Sequence, residues 1–279
     1  MTRFVLALCV LSGLLALGGC GSSMGDYILT VPDMVAPAGG EGVAVVRLQR
    51  NDFVVMAPPV KLAAMRLAVG EEFERGAYTD DLGYAGTMLP VPSSPGRYEL
   101  KVAHLDRFGD EVSAVAPAYV WDPNAPVVAV DLDCLPGLSL GFSRQSSRAL
   151  DRVAKGAKIL YLTRRRASTH GELHKNLIGA GYPDGPILGW QRQYWHIVRE
   201  GKYNLPRVVV EHRLVSQLSD LRKMLGGLTM GICHNSLAAK AFAESGMRVV
   251  IVGNARVSAE NVIRRASWSE LADKGVGLQ

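Results

Sequence analysis

Apolar and polar residues alternate in short runs along the first half of the chain, and the alternation predicts strands. Gly42-Val43-Ala44-Val45-Val46-Arg47-Leu48 is β-rich, and Gly96-Arg97-Tyr98-Glu99-Leu100-Lys101-Val102 alternates after the turn signal Pro92-Ser93-Ser94-Pro95. Ala118-Tyr119-Val120-Trp121 is a third run, behind Pro117. No helical period is evident between them, so residues 27–121 read as a small all-β antiparallel sandwich. Two prolines within Asp122-Pro123-Asn124-Ala125-Pro126 stop both helix and central strand, which makes 122–126 a linker. Beyond it the period changes. Apolar runs at Val127–Val130, Lys158–Leu162, Leu228–Gly231 and Val249–Val252 fit buried strands. Helical spacing covers Ser143–Ala154, Ser168–Ala180, Arg213–Leu225, Leu237–Ser245 and Ala259–Ala266. Ser168-Thr169 is a cap and Gly181 a stop for the second of these. The predicted fold is therefore two domains, an all-β sandwich followed by an α/β, Rossmann-like domain with a parallel sheet over 127–279.

The extreme N-terminus reads as a targeting segment. Arg3 precedes an apolar stretch, Phe4 to Leu17, that is too short and poorly flanked for a stable membrane span. It ends in Leu17-Gly18-Gly19-Cys20, which resembles the lipobox of bacterial lipoproteins. The resemblance implies a signal peptide over 1–19, lipidation of Cys20 and a short linker, 20–26, that includes Gly21-Ser22-Ser23. Acyl chains would hold the protein on a membrane, facing the periplasm or exterior, without a spanning helix. No Asp follows Cys20, which leans toward the outer membrane. An ordinary secretory signal that happens to contain a cysteine is the alternative. Within 27–121, Ala77-Tyr78-Thr79-Asp80-Asp81-Leu82-Gly83, Pro95-Gly96-Arg97-Tyr98 and Asp106-Arg107-Phe108-Gly109 resemble a bacterial immunoglobulin-like (Ig-like) domain, which implies a spacer or ligand platform.

Composition narrows the partners. The 279 residues carry 31 Lys+Arg against 26 Asp+Glu, a net charge of +5. With 48% hydrophobic and 20% charged residues, the chain is neither a disordered tail nor a collagen-like fibre. Basic residues cluster once, at Arg164-Arg165-Arg166, so nucleic acid is not an expected partner. Cys9 and Cys20 belong to the leader region, leaving Cys134 and Cys233, too few for a disulfide scaffold.

Candidate chemistry begins at Asp131. In open α/β sheets, ligands sit beyond the carboxyl ends of the strands. The first strand of 127–279 runs into Val130-Asp131-Leu132-Asp133, whose spacing would point both carboxylates the same way along an extended backbone. One carboxylate can attack phosphorus while the other handles the leaving-group proton. The second strand ends in Tyr161-Leu162-Thr163-Arg164-Arg165, a hydroxyl and cations suited to phosphate oxygens. Together with Gly181-Tyr182-Pro183-Asp184-Gly185-Pro186-Ile187-Leu188, these segments resemble the haloacid dehalogenase (HAD)-like phosphatases, in the branch of the lipin-type phosphatidate phosphatases. That branch runs Asp-Ile-Asp-Asp-Thr, Tyr-Leu-Thr-Ala-Arg and Gly-x-Pro-x-Gly-Pro-Ile-Leu, and the likeness covers most of 127–253. It implies an aspartyl-phosphate mechanism assisted by magnesium, on a phosphorylated small molecule or lipid. Asp131 would be nucleophile and metal ligand, Asp133 general acid/base, and Thr163 a phosphate contact with Arg164 beside it.

Three departures weigh against a working phosphatase. Cys134-Leu135 follow the acids where the family carries a small polar residue, usually Thr. Arg213 stands where the third motif supplies Lys, a cation of different shape. The magnesium loop, Gly-Asp-x-x-x-Asp in the family, corresponds to Gly231-Ile232-Cys233-His234-Asn235-Ser236-Leu237-Ala238, without a carboxylate. His234 or Asn235 takes the place of the first acid and Ala238 that of the second, so Asp131 with His234 or Asn235 would be a poor magnesium cage. Two functions remain: a divergent phosphomonoesterase and, favoured by the lost ligands, a catalytically impaired relative kept as a binding or structural envelope module. Cys134, Cys233, His234 and Asp131 would form a zinc set if the geometry allows, although a disulfide or two buried thiols are simpler. Trp190, Tyr194, Trp195 and His196 read as aromatic packing under a loop, with a lining for a lipid or sugar pocket the alternative. His170 and His174, four apart on a helix, have a spacing that permits metal binding but read as a surface pair without nearby Cys or carboxylate support. Arg164-Arg165-Arg166 reads equally as a solvated face or as a contact for phosphate or lipid headgroups.

Overall fold

The computed structural model describes residues 21–24, 27–51, 57–70, 73–106, 109–135, 144–200, 203–212 and 214–277, and its architecture changes at 122–126. The strands before that point are β1 (Gly21–Met24), β2 (Tyr27–Thr30), β3 (Met34–Pro37), β4 (Glu41–Arg50), β5 (Ala64–Val69), β6 (Phe73–Tyr78), β7 (Tyr84–Pro90), β8 (Gly96–Leu105) and β9 (Glu111–Trp121). One sheet runs β1-β2-β4-β7, and the other runs β3-β9-β8-β5-β6. All pairings are antiparallel except the parallel β3–β9. In β4 the alternation acts as expected: Ala44, Val46 and Leu48 are buried, while Glu41, Val43 and Val45 face water. One core gathers side chains from both sheets, including Leu29, Val46 and Leu48 from one and Leu67, Leu100 and Val120 from the other. After β9, Asp122 makes the turn, accepting the Asn124 N–H on Oδ1 (2.9 Å) and the Ala125 N–H on its carbonyl (3.0 Å).

The remainder is α/β. Its strands are β10 (Val127–Asp131), β11 (Lys158–Thr163), β12 (Ile187–Gly189), β13 (Gln191–Glu200), β14 (Tyr203–His212), β15 (Leu228–Cys233), β16 (Arg248–Val252) and β17 (Val262–Arg265). Its helices are α1 (Arg144–Ala154), α2 (His170–Gly179), α3 (Leu214–Met224), α4 (Ser236–Glu244) and α5 (Trp268–Lys274). Strands β12-β11-β10-β15-β16-β17, in that order, form one parallel sheet, while β13 and β14 pair as an antiparallel hairpin. Successive residues of β10 enter opposite cores. Val128 and Val130 join Leu150 of α1, Leu177 of α2 and Leu271 of α5. Val127 and Ala129 join Leu218 of α3 and Phe242 of α4, and that second core also takes Val35, Tyr119 and Trp121 from β3 and β9. Helices thus cover both faces, which explains why the central strands are apolar without alternation.

Strand order reverses between β10 and β15, so the crevice for a ligand opens where these two strands end. Gly231 brings α4 close there, since a Cβ at this position would lie 2.4 Å from the Phe242 ring. Four elements differ from expectation. Residues 262–265 form the edge strand β17 rather than part of a helix over Ala259–Ala266, because Val262 and Ile263 are β-branched and β16 offers a free edge that outweighs local spacing. The hairpin β13–β14 and helix α5 were not read from the sequence. Residues 1–19, expected to be a signal peptide, and Cys20 and Arg213 lie outside the described residues. Among the described residues no helix is long and apolar enough to cross a membrane.

Candidate active site

Asp131 is the last residue of β10 and is 1% exposed. The chain leaves the strand there through a short 3-10 turn, Leu132–Cys134, which Asp131 caps by accepting the Asp133 N–H on Oδ1 (3.2 Å). This turn corrects the expectation of two carboxylates along one extended strand. Asp131 stays in the crevice, while Asp133 turns to the end of β11. There its Oδ1 accepts the Thr163 hydroxyl (3.0 Å), and its Oδ2 accepts the Arg164 backbone N–H (2.9 Å) and Nε–H (3.1 Å). Arg165 Nε approaches Asp133 Oδ1 at 3.9 Å. The Arg164 guanidinium also lies over buried Trp190, 4.9 Å from the ring centre. Strands β10 and β11 pair with Asp131 opposite Leu162, so Asp131, Asp133, Thr163 and Arg164 come together at the carboxyl ends of these strands.

The third side of the crevice is the β15–α4 corner. Asn235 is the N-cap of α4: its Oδ1 accepts the Ala238 N–H at 2.8 Å, and its Nδ2 donates to Asp131 Oδ2 at 2.5 Å. The cap fixes the amide orientation, because turning it over would give up both bonds. His234 is exposed and Ala238 buried.

Electrostatics follow from this packing. Burial, and then the neighbouring Asp133, push the Asp131 carboxyl from 3.8 up to about 6, while Arg164 and the Asn235 amide only partly oppose the rise. Burial likewise raises the Cys134 thiol, with Asp131 adding to the effect, and pushes Cys233 up to about 12. Both cysteines are free. Among the described residues no three His, Cys, Asp or Glu side chains are gathered to hold a metal, so the zinc set of Cys134, Cys233, His234 and Asp131 is not assembled. A magnesium ion fits the site no better. It needs several hard oxygen donors, and Asn235 turns its nitrogen, not its oxygen, toward Asp131. Both Asp133 oxygens are taken by Thr163 and Arg164.

The histidine pair is not a surface pair. His170 is 2% exposed, with Nε2 3.4 Å from the Arg165 carbonyl, and burial lowers its imidazole to about 4. His174 Nε2 lies 3.2 Å from Asp184 Oδ1. That contact belongs to a cluster joining 27–121 to 127–277 that has no local sequence signal. Tyr119 OH donates to Asp184 Oδ1 (2.8 Å), Arg97 lies 3.6 Å from Asp184 Oδ2, and the Ile187 N–H donates to Asp33 Oδ2 (2.8 Å). The hydrogen bond from His174, followed by that from Tyr119, holds the Asp184 carboxyl down at about 2 despite partial burial.

No protein-family profile matches the chain, and no curated protein sequence matches it. Among solved structures, the cobalt-bound deoxy-D-mannose-octulosonate 8-phosphate phosphatase of Haemophilus influenzae is similar over 55% of this chain and 87% of its own, at 15% identity and a TM-score of 0.35. A carbohydrate acetylesterase from Xanthomonas citri is similar over 86% of this chain and 71% of its own, at 12% identity and a TM-score of 0.32. The soluble domain of PmoD from a Methylocystis species is similar over 37% of this chain and 98% of its own, at 12% identity and a TM-score of 0.26. Likenesses this distant carry no functional argument, and the function has to be argued from the chain's own residues.

Proposed function

We propose that this chain is an exported, lipid-anchored protein of the HAD-like type, related to the lipin branch, whose phosphatase centre no longer turns over and serves a binding or structural role in the cell envelope. In this reading 1–19 is the signal peptide, Cys20 carries the acyl chains and 27–121 is an Ig-like spacer. The linker 122–126 then leads to the HAD-like domain. The Leu17-Gly18-Gly19-Cys20 segment supports the anchor, and Asp131, Asp133 and Thr163 at neighbouring strand ends support the ancestry. One observation carries the loss of turnover: protein groups supply the partners of both carboxylates. Asp133 is held by Thr163 and Arg164, and Asp131 by an Asn235 amide whose other end is fixed as a helix cap. A nucleophile held by an amide donor and an acid held by a hydroxyl and a guanidinium must break these bonds before either can attack phosphorus or pass a proton.

The test is hydrolysis of a generic phosphomonoester and of phosphatidate, with magnesium, with zinc and with chelator, beside Asp131→Asn. The expected result is no turnover above the variant. Metal-dependent turnover abolished by Asp131→Asn would overturn the reading in favour of a divergent phosphomonoesterase. That second reading is supported by the meeting of Asp131, Asp133 and Thr163 at one sheet edge.

A further inference from the structure

Beside the Asp131 crevice lies a second concavity, a cleft of about 360 Å³ between the segment that follows β11 and one face of α2. Arg164, Arg165 and Arg166 form one wall, and Thr169, Glu172, Leu173 and Asn176 form the other. The three arginines are not equivalent. Arg164 is committed to Asp133 and Trp190. Arg165 keeps only a long contact to Asp133, with its side chain 41% exposed. Arg166 is exposed, and its side chain makes no hydrogen bond or ion pair among the described residues. Two guanidinium groups therefore face the cleft with their charge largely unspent, opposed by the single carboxylate of Glu172.

The backbone beside the cleft is tied down within the chain. Arg166 opens the 3-10 turn Ala167–Thr169, which runs into α2, and its carbonyl accepts both the Thr169 N–H (2.9 Å) and the Thr169 hydroxyl (2.8 Å), while the His170 N–H donates to the Ala167 carbonyl. The recognition therefore falls to the guanidinium groups, and two of them side by side favour a compact oxyanion with several acceptor oxygens. Asn176 can add a neutral donor from the facing wall, and Leu173 limits the depth to a small group.

We infer that this cleft binds a phosphate oxyanion, either free or as the headgroup of an anionic phospholipid, through Arg165 and Arg166. The site shares Arg164 with the Asp131 crevice but needs neither Asp131 nor turnover, so it stands or falls separately from the proposed loss of catalysis. Arg165 and Arg166 are open to solvent and outside the sheet, so replacing both leaves the fold intact. This is checked by an unchanged unfolding midpoint in phosphate-free buffer.

The experiment is calorimetric titration of the protein with inorganic phosphate, with glycerol phosphate and with glycerophosphoglycerol, the soluble diester headgroup of an anionic lipid. The variants are Arg165→Ala/Arg166→Ala, Arg165→Lys/Arg166→Lys and Lys155→Ala/Lys158→Ala. The last removes the same charge near the opposite end of β11, where both lysines are exposed. Loss of the two arginines should weaken phosphate binding about tenfold or more, because charge-assisted bonds to phosphate are the strong ones. The lysine replacement of the arginines should recover part of that loss, and the distant pair should change binding less than about twofold. Binding of the two dianions alone identifies a free phosphate ester as the ligand class, whereas equal binding of the diester identifies the lipid headgroup. Absence of binding by all three probes, or an equal loss in the distant pair, overturns the inference.

Discussion

Asp33 is a carboxylate that the folded chain holds against its preference for water. It sits between β2 and β3, with the Ile187 N–H donating to Oδ2 at 2.8 Å. Burial pushes its carboxyl from 3.8 up to about 6, Asp184 adds to the rise, and the Ile187 N–H, His174 and Arg97 hold it back. Asp184 lies in the segment before β12, His174 on α2 and Arg97 on β8, and these are the charged groups that face it. A carboxyl moved from 3.8 to about 6 corresponds to about 3 kcal/mol of preference for the neutral form. The folded value lies above the unfolded one, so Asp33's share of stability is complete below pH 3.8. It falls as the pH rises through about 6 and is absent above that. Asp33→Asn keeps an oxygen for the Ile187 N–H and removes the charge, but it adds two N–H donors whose imperfect pairing costs about 1 kcal/mol. The variant should therefore be more stable than the parent by about 2 kcal/mol at pH 8 and equal to it within about 1 kcal/mol at pH 4. Urea unfolding of both proteins at pH 4, 6 and 8 measures the difference directly. A variant less stable than the parent at pH 8, or a gap that does not change with pH, would show that Arg97 and His174 stabilise the ionised carboxylate by more than burial costs it.

Other perturbations probe the site itself. Asn235→Asp keeps the cap acceptor but sets a second carboxylate against Asp131. Its unfolding temperature should fall in chelator and recover in millimolar magnesium, while the parent is indifferent to both, and a parent that responds as strongly refutes the lost-metal reading. Asn235→Ala removes the cap and the Asp131 partner together and should cost about 2–4 kcal/mol in denaturant unfolding. Arg164→Ala strips Asp133 of its guanidinium and should cost about 1–2 kcal/mol, with little recovery in Arg164→Lys because an ammonium cannot both bond Asp133 and cover Trp190. Gly231→Ala drives a methyl toward the Phe242 ring and should cost about 1–3 kcal/mol in the same assay. Cys134 and Cys233, buried and with raised thiols, should resist alkylation at pH 8 in the native protein and react once it is unfolded.

What could be read from sequence follows from how local each cause is. The parallel strands were legible because burial on both faces leaves an unbroken apolar run, and β10 is buried at every position. Edge strand β17 was not, because its state is set by pairing with β16 rather than by its own spacing. The site divides along the same line. Asp131, Asp133, Thr163 and Arg164 could be named from their positions at strand ends, and they do meet. Their relations could not be named. A one-residue gap between two acids points both the same way only if the backbone stays extended, and the 3-10 turn after Asp131 sends Asp133 to Thr163 instead. Nor does spacing decide between His234 and Asn235, or which atom of the amide faces the acid. The 2.8 Å bond from the Ala238 N–H to Oδ1 decides it, since helix capping takes the oxygen and leaves the nitrogen for Asp131. At the position where a carboxylate would have drawn in a cation, the chain presents a donor that satisfies Asp131 without one. A helix cap, and not the loss of an acid alone, is thus what sets a nitrogen rather than an oxygen toward Asp131.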